Sequence, residues 1–436
     1  MKSLAQLHLA CLALGHLGLA SANEVPAYAG ETLSGDWGGT RTAWFESGLS
    51  VEALYRWDML RVSAGGTRRG GRPISHFDVK MKGDLGKLAG LDGVTAYANL
   101  LYDGGGKTNR DHLGSQLGIA NTEVPTSTSR LFHAWIEKSF ANDQWSLLGG
   151  LYPIDSEFQV LDSAGVFVQP PYGPTPELSL TRGPSIFNNS AFGVRAKWQS
   201  EDRTLYAAGA VLDGIPGDPE RPKGTHVKFN KGDGTMQIAE VGFKPRERGH
   251  GFETLSPEKG VPQDPGMREH EQSEGFEKYA IGFWRYTSRV DDLVDTDALG
   301  NAMRRRSAGW YALAERTLRR WNDGDLSGFV RVGSNDGNST ALKRSYSLGM
   351  VLHGLVPGRE DDALGAAYTR GSTSNKFRAA NADTAADTES AVELTYRIQV
   401  NKWLAVQPVA QRYRHPGATK TVGGATVLGL RVDVTL

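Results

Sequence analysis

Ten charged residues stand at the polar positions of segments in which polar and apolar side chains alternate: Arg56, Asp78, Lys80, Lys82, Glu137, Arg195, Lys197, Arg331, Glu393 and Arg397. Both signs are present. A wet passage lined by one sign selects ions, whereas opposed acids and bases around a narrow waist offer paired donors and acceptors suited to neutral polyols. Tyr97 and Asn99 share the same parity and add an aromatic surface for a sugar ring and an amide. The stretch Tyr152 to Ser190 carries Asp155, Glu157, Phe158, Asp162, Phe167 and Tyr172. It is long enough to fold into a lumen and narrow it, which makes Glu157 and Asp162 candidates for a constriction. The plainer alternative is a loop that only covers a rim. A hydrolytic reading stays open on a pair such as His133 with Glu137.

Other fragments that resemble chemistry have simpler explanations. Gly104-Gly105-Gly106 lacks the Lys-Ser/Thr of a phosphate loop and is followed by no helical pattern. Asn335-Asp336-Gly337-Asn338 resembles a calcium loop for four residues, but no glutamate follows at the required distance, so it reads as a turn. The ten histidines are scattered without a metal-binding spacing, and no Gly-x-Ser-x-Gly elbow is present. No cofactor is expected.

The elements that must position the charged set are strands. Leu428, Leu430, Val432, Val434 and Leu436 alternate with Gly429, Arg431, Asp433 and Thr435, so one face is oily and the other polar. The same period returns in Leu49–Met59, Phe77–Lys82, Phe192–Gln199 and Val392–Val400, and more weakly in eleven further segments. The count is about sixteen. In a soluble sandwich the oily faces meet each other; in a transmembrane barrel they meet lipid while the polar faces line a wet lumen.

The N-terminus points to export. Lys2, an apolar stretch from Leu4 to Ala20, and the small residues Ala20-Ser21-Ala22 read as a signal peptide of residues 1–22, cleaved after Ala22. Cys11 lies inside it, so the mature chain would hold no cysteine and no disulfide. No other stretch reaches the roughly 20 apolar residues of a spanning helix, so a membrane form must be a closed barrel. The 49 basic and 49 acidic residues balance, which gives no warrant for a nucleic-acid partner. The expected architecture is therefore all-β: a transmembrane antiparallel up-and-down barrel over 49–436, preceded by a periplasmic segment, 23–48, with a short helix.

Connection lengths support that architecture, since such barrels alternate short periplasmic turns with long outer loops. With the first strand running outward, Gly83–Gly93, Ala141–Gln144, Gln199–Arg203, Arg319–Asp325, Pro357–Asp362 and Asn401–Lys402 are inner turns. The outer loops are Tyr102–Arg130, Tyr152–Ser190, Leu212–Thr235 and Gly371–Ser390. Both termini then fall on the periplasmic side. Lys244 to Lys278 breaks the rule, either as an inner insertion or because a pair of strands has been lost near it. Phe140, Trp145, Trp198, Phe243 and Trp403 fall beside inner turns, as an interfacial girdle would.

At this point the residues resemble a family, the carbohydrate-selective porins of Gram-negative outer membranes. The resemblance rests on Leu33-Ser34-Gly35-Asp36-Trp37-Gly38-Gly39-Thr40-Arg41 before a short helical stretch, Thr42 to Ser47, and a first strand. It continues in Trp135-Ile136-Glu137, Glu157-Phe158, Gly354 to Arg359 with Asp361-Asp362, Glu393 to Tyr396, Gln407-Pro408, His415-Pro416-Gly417 and Gly429-Leu430-Arg431. It implies a sixteen-stranded barrel that passes glucose, related sugars and small oligosaccharides down their gradient. It also implies outer-membrane lipid and the barrel assembly machinery as partners, with a homotrimer possible. Gly35, Asp36, Trp37, Gly38, Gly39 and Arg41 are expected to be structural: the glycines allow a tight turn, and Asp36 and Arg41 cap and anchor the helix. Two departures are the long 244–278 segment and a terminal Leu436 where an aromatic is typical.

Overall fold

The computed structural model describes residues 26–246 and 275–436. The signal-peptide reading, and nearly all of the 244–278 segment, lie outside the described residues.

The strands run in chain order β1 (Leu49–Ala64), β2 (Pro73–Asp84), β3 (Val94–Gly105), β4 (Thr128–Phe140), β5 (Trp145–Tyr152), β6 (Ala191–Gln199), β7 (Leu205–Asp213), β8 (Thr235–Arg246) and β9 (Glu277–Tyr286). A small hairpin follows, β10 (Val290–Thr296) with β11 (Ala302–Arg305). Then come β12 (Ala308–Trp321), β13 (Gly324–Asn335), β14 (Leu342–His353), β15 (Ala363–Thr373), β16 (Thr388–Asn401), β17 (Leu404–Arg414) and β18 (Ala425–Thr435). Sixteen of these, all but β10 and β11, form one closed antiparallel barrel in which each strand pairs with its neighbours in sequence and β18 closes on β1. Closure excludes the sandwich, because no strand edge is left to be covered. β8 pairs directly with β9, so no barrel strands are missing between them.

The alternation sorts side chains as two solvents demand. On β18, Leu428 is exposed outward while Arg431 and Asp433 are buried inward. Phe140, Trp145 and Phe243 are exposed at the rim that carries the short turns, and Trp145 lies 6.5 Å from Trp198. Asn335–Asn338 is a turn, as its residue types require: the Asn335 side chain accepts from Gly337 N at 2.9 Å and Asp336 from Asn338 N at 2.8 Å.

The N-terminal motif ties the chain's start to its end. Asp36 accepts from the Thr42 backbone N and hydroxyl, both at 2.9 Å, and so caps the helix Thr40–Glu46. Gly38 and Gly39, at φ 67 and 93, make the turn into it. Arg41 anchors the barrel rather than the helix. Its buried guanidinium donates to Val51 O at 2.5 Å, Thr32 Oγ1 at 2.9 Å, Leu436 O at 3.1 Å and Gly35 O at 3.2 Å, and lies over the rings of Tyr28 and Trp37. One side chain thus joins the leading segment, β1 and the last residue. Arg41→Ala removes these bonds and strands buried carbonyls, so a loss of about 3 kcal/mol is expected. It should appear as a lower midpoint of guanidinium unfolding for the purified barrel; an unchanged midpoint would show that the segment does not support the seam.

Candidate functional site

The lumen is partly filled by the β5–β6 loop. Its turns Ile154–Ser156, Asp162–Val166, Pro170–Tyr172 and Pro176–Ser179 lie inside the wall. Phe158, Leu161, Val166, Phe167, Tyr172 and Leu178 are buried together with the inward residues Tyr206, Ile238, Tyr311, Leu313 and Phe329 in one apolar cluster. Glycine makes room on the wall. A Cβ on Gly365 would meet Phe167 and Val166 at 2.9 Å.

Polar anchors fix the loop's height. Glu240 accepts from Gln159 N at 3.0 Å. Glu315 accepts from Asp162 N at 2.9 Å, Ser163 N at 2.8 Å and Ser163 Oγ at 2.6 Å. Glu393 accepts from Val168 N at 2.6 Å and Gln169 N at 2.9 Å. In the opposite sense Arg331 donates to Gln159 O at 2.8 Å and Pro171 O at 2.5 Å, and Lys278 to Val160 O at 2.5 Å. Arg331 and Glu393 therefore point inward as the alternation requires, but they are buried beneath the loop rather than solvated in the lumen.

Beside the loop is a cluster that stays partly open. Arg195 donates Nε to Glu157 at 2.7 Å, Nη2 to Glu157 at 3.1 Å and to Glu137 at 3.0 Å, and Nη1 to Ser146 Oγ at 2.6 Å. Lys197 lies 3.5 Å from Glu157, and Tyr152 donates its hydroxyl to the same carboxylate at 2.5 Å. Glu137, Glu157 and Lys197 keep 22%, 24% and 36% of their side chains exposed, so this network borders space rather than protein. Next along the wall, Tyr97 and Trp135 are cross-strand partners whose rings stack at 5.0 Å and 26°. Both are half-buried. Trp135 donates its indole N–H to His133 Nδ1 at 3.3 Å, and Glu137 is taken by Arg195.

Several of the remaining charges pair within the wall. Arg56 forms a two-bond contact with Asp433, at 2.6 and 2.8 Å, and Arg431 does the same with Asp58. Asp78 is buried against His76 Nε2 at 2.9 Å, and His76 Nδ1 lies 2.7 Å from Asp103. Lys80 and Asn99 are buried, Asn99 reaching Val79 O at 3.4 Å. Arg397 is buried and bonds Gln399. The sequence reading did not single out Trp135, Glu240, Glu315 or the Asp58–Arg431 pair for this space. Parity with Glu137 was the available signal for Trp135.

Burial alone would push the Glu157 carboxyl up, but Lys197, Arg195 and the Tyr152 hydroxyl outweigh it and hold it at about 2. A depressed pKa means that the carboxylate's contribution is present above the ordinary carboxylate range and is lost only as pH falls toward 2. With each protein reconstituted into liposomes, the ratio of solute uptake through the parent to that through Glu157→Gln should therefore stay constant from pH 8 to pH 4. A ratio drifting toward one near pH 4 would mean that Glu157 titrates normally.

A family model described as carbohydrate-selective porin, OprB family, matches residues 68–436. The chain belongs to that family. Its members are sugar-selective channels of the outer membrane, which accounts for a closed barrel with an inward loop and a partly open charged wall. Porin B of Pseudomonas aeruginosa is 24% identical across 97% of this chain and 96% of its own length. Among solved structures, the high-pH form of Pseudomonas putida OprB has a TM-score of 0.80 at 18% identity, covering 94% of this chain and all of that one. Salmonella typhi OmpF with daunomycin has a TM-score of 0.52 at 11% identity over 90% of this chain. These two structures establish the barrel and nothing finer.

Proposed function

We propose that this porin passes neutral monosaccharides such as glucose, and small oligosaccharides, by passive diffusion past the Tyr97–Trp135 platform and the Glu137–Arg195–Glu157–Lys197 network. The observation that carries this reading is the adjacency of a stacked aromatic surface to partly exposed acids and a partly exposed base. A pyranose presents an apolar C–H face and a rim of hydroxyls; the rings take the first and the charged groups exchange hydrogen bonds with the second. Contacts of this kind must be weak, since tight binding blocks conduction. The reading has the short-turn end, with both termini, facing the periplasm after removal of residues 1–22. Asp162 and the buried wall charges Arg56, Asp78, Lys80 and Arg397 then set the field around the path, with Asn99 as a neutral amide among them.

Uptake into liposomes tests it, comparing glucose with a neutral polyol of similar size and a small anion. Glucose uptake should be fastest and saturable, and Tyr97→Ala with Trp135→Ala should raise its half-saturation concentration about tenfold, or about 1.4 kcal/mol. Equal uptake of all three solutes would make this a general pore.

A further inference from the structure

The outward faces of β14, β15, β17 and β1 carry Arg344, Arg370, Arg412, Arg414 and Arg61 toward the long-loop end. Register sets them close to one line. Arg414 pairs across to Ser390, Ser390 to Arg370 and Arg370 to Tyr346, while Arg344 and Arg412 lie two residues from that line on β14 and β17. Arg61 is opposite Leu428, which is opposite Ala410, two residues before Arg412. Four of the five are exposed and Arg370 is half-buried. None of them is ion-paired to a carboxylate among the described residues, and Arg412 is steadied by the Thr426 hydroxyl at 2.8 Å. The outward positions of β14 to β18 and β1 hold no acid.

Immediately toward the middle of the barrel the same faces turn apolar, with Leu348, Met350, Val392 and Leu394 exposed. Tyr346, opposite Arg370, and Tyr368, opposite Leu348, bridge the two zones with rings 5.8 Å apart. Paired tyrosines at the edge of an oily band mark the headgroup level. Arginines just beyond that level, with no carboxylate partner among the described residues, are open to anions that come from outside, and planar guanidinium groups match phosphate oxygens two at a time.

We propose that this rim binds the phosphate groups of an anionic membrane-lipid headgroup whose acyl chains lie on the apolar band. The inference rests on the reading that the barrel spans a membrane, not on sugar selectivity.

The test uses the full-length protein in zwitterionic detergent and a bis-phosphorylated acyl glucosamine disaccharide as probe, beside the same lipid stripped of its phosphates. The phosphorylated lipid should bind at least tenfold more tightly. Arg370→Gln, Arg412→Gln and Arg414→Gln together should erase that difference while glucose uptake stays unchanged, and each single substitution should weaken binding about threefold. Inorganic phosphate at equal concentration should not compete. Equal binding of the two lipids, binding untouched by the substitutions, or full competition by inorganic phosphate would overturn the proposal. Loss of sugar uptake preference with lipid binding intact would count against the function above and leave this site standing.

Discussion

Glu315→Ala combined with Glu393→Ala is expected to raise single-channel conductance at least twofold and to erase the preference for glucose over a polyol of similar size. The two carboxylates receive five donors from the loop: Asp162 N, Ser163 N, Ser163 Oγ, Val168 N and Gln169 N. Without acceptors, each buried donor costs about 1–3 kcal/mol, and bonds to a charged acceptor are the stronger kind. Burial of Leu161, Val166 and Phe167 in the same stretch returns roughly 1.5–3 kcal/mol per side chain. The two totals are comparable, so the stretch gains little by staying against the wall. Apolar contact is also non-directional and does not fix the height at which the loop crosses the lumen. Planar-bilayer recordings decide the matter. Unchanged conductance with unchanged selectivity would mean that the apolar cluster alone holds the loop.

The barrel was legible because a strand with two solvents writes its period into the chain. Every segment read as a strand maps onto a strand of the closed sheet, some ends overrunning by one or two residues, and the count of sixteen agrees. β10 and β11 escaped notice because Val290–Thr296 and Ala302–Arg305 are polar on both faces. They are held by charge instead: Asp292 accepts from Arg305 at 2.7 Å and from Lys376 of another loop. Burial opposes ionisation of Asp292, but Lys376, backbone N–H groups and Arg305 prevail and keep its carboxyl below the usual range.

Less of the site could be read. Parity told which residues face inward, so Glu137, Arg195 and Lys197 were placed on the correct side. It could not tell which inward residues meet water and which meet a loop folded from far along the chain. Glu393 and Arg331 look like Glu137 and Arg195 in sequence, and only the path of residues 153–190 separates them. The segments from β7 to β9 carried a hint. Tyr206, Ala208, Ala210, Ile238 and Ala280 are apolar where a wet lumen calls for polar residues, because the loop is their neighbour.

Arg195→Ala should turn the pore toward cations by about tenfold, read as a shifted reversal potential across a potassium chloride gradient, and should reduce saturable glucose uptake. The guanidinium is 2% exposed and serves Glu157 and Glu137 together. Its removal leaves two carboxylates with Lys197 as the nearby cation, so the network passes from balanced to one net negative charge. A unit charge about 4 Å from a passing ion is worth roughly 1 kcal/mol in water and more beside a low-dielectric wall, which sets the tenfold figure. Removing one member of a nearly buried ion group also costs about 3–5 kcal/mol of stability, so folding is checked by heat-modified gel mobility. Adding Glu157→Gln to Arg195→Ala restores the balance of charge but not the forked donor. If charge and geometry act separately, the double variant regains its indifference to ion sign and still fails to saturate with glucose. Recovery of both properties together would show that net charge alone governs this constriction.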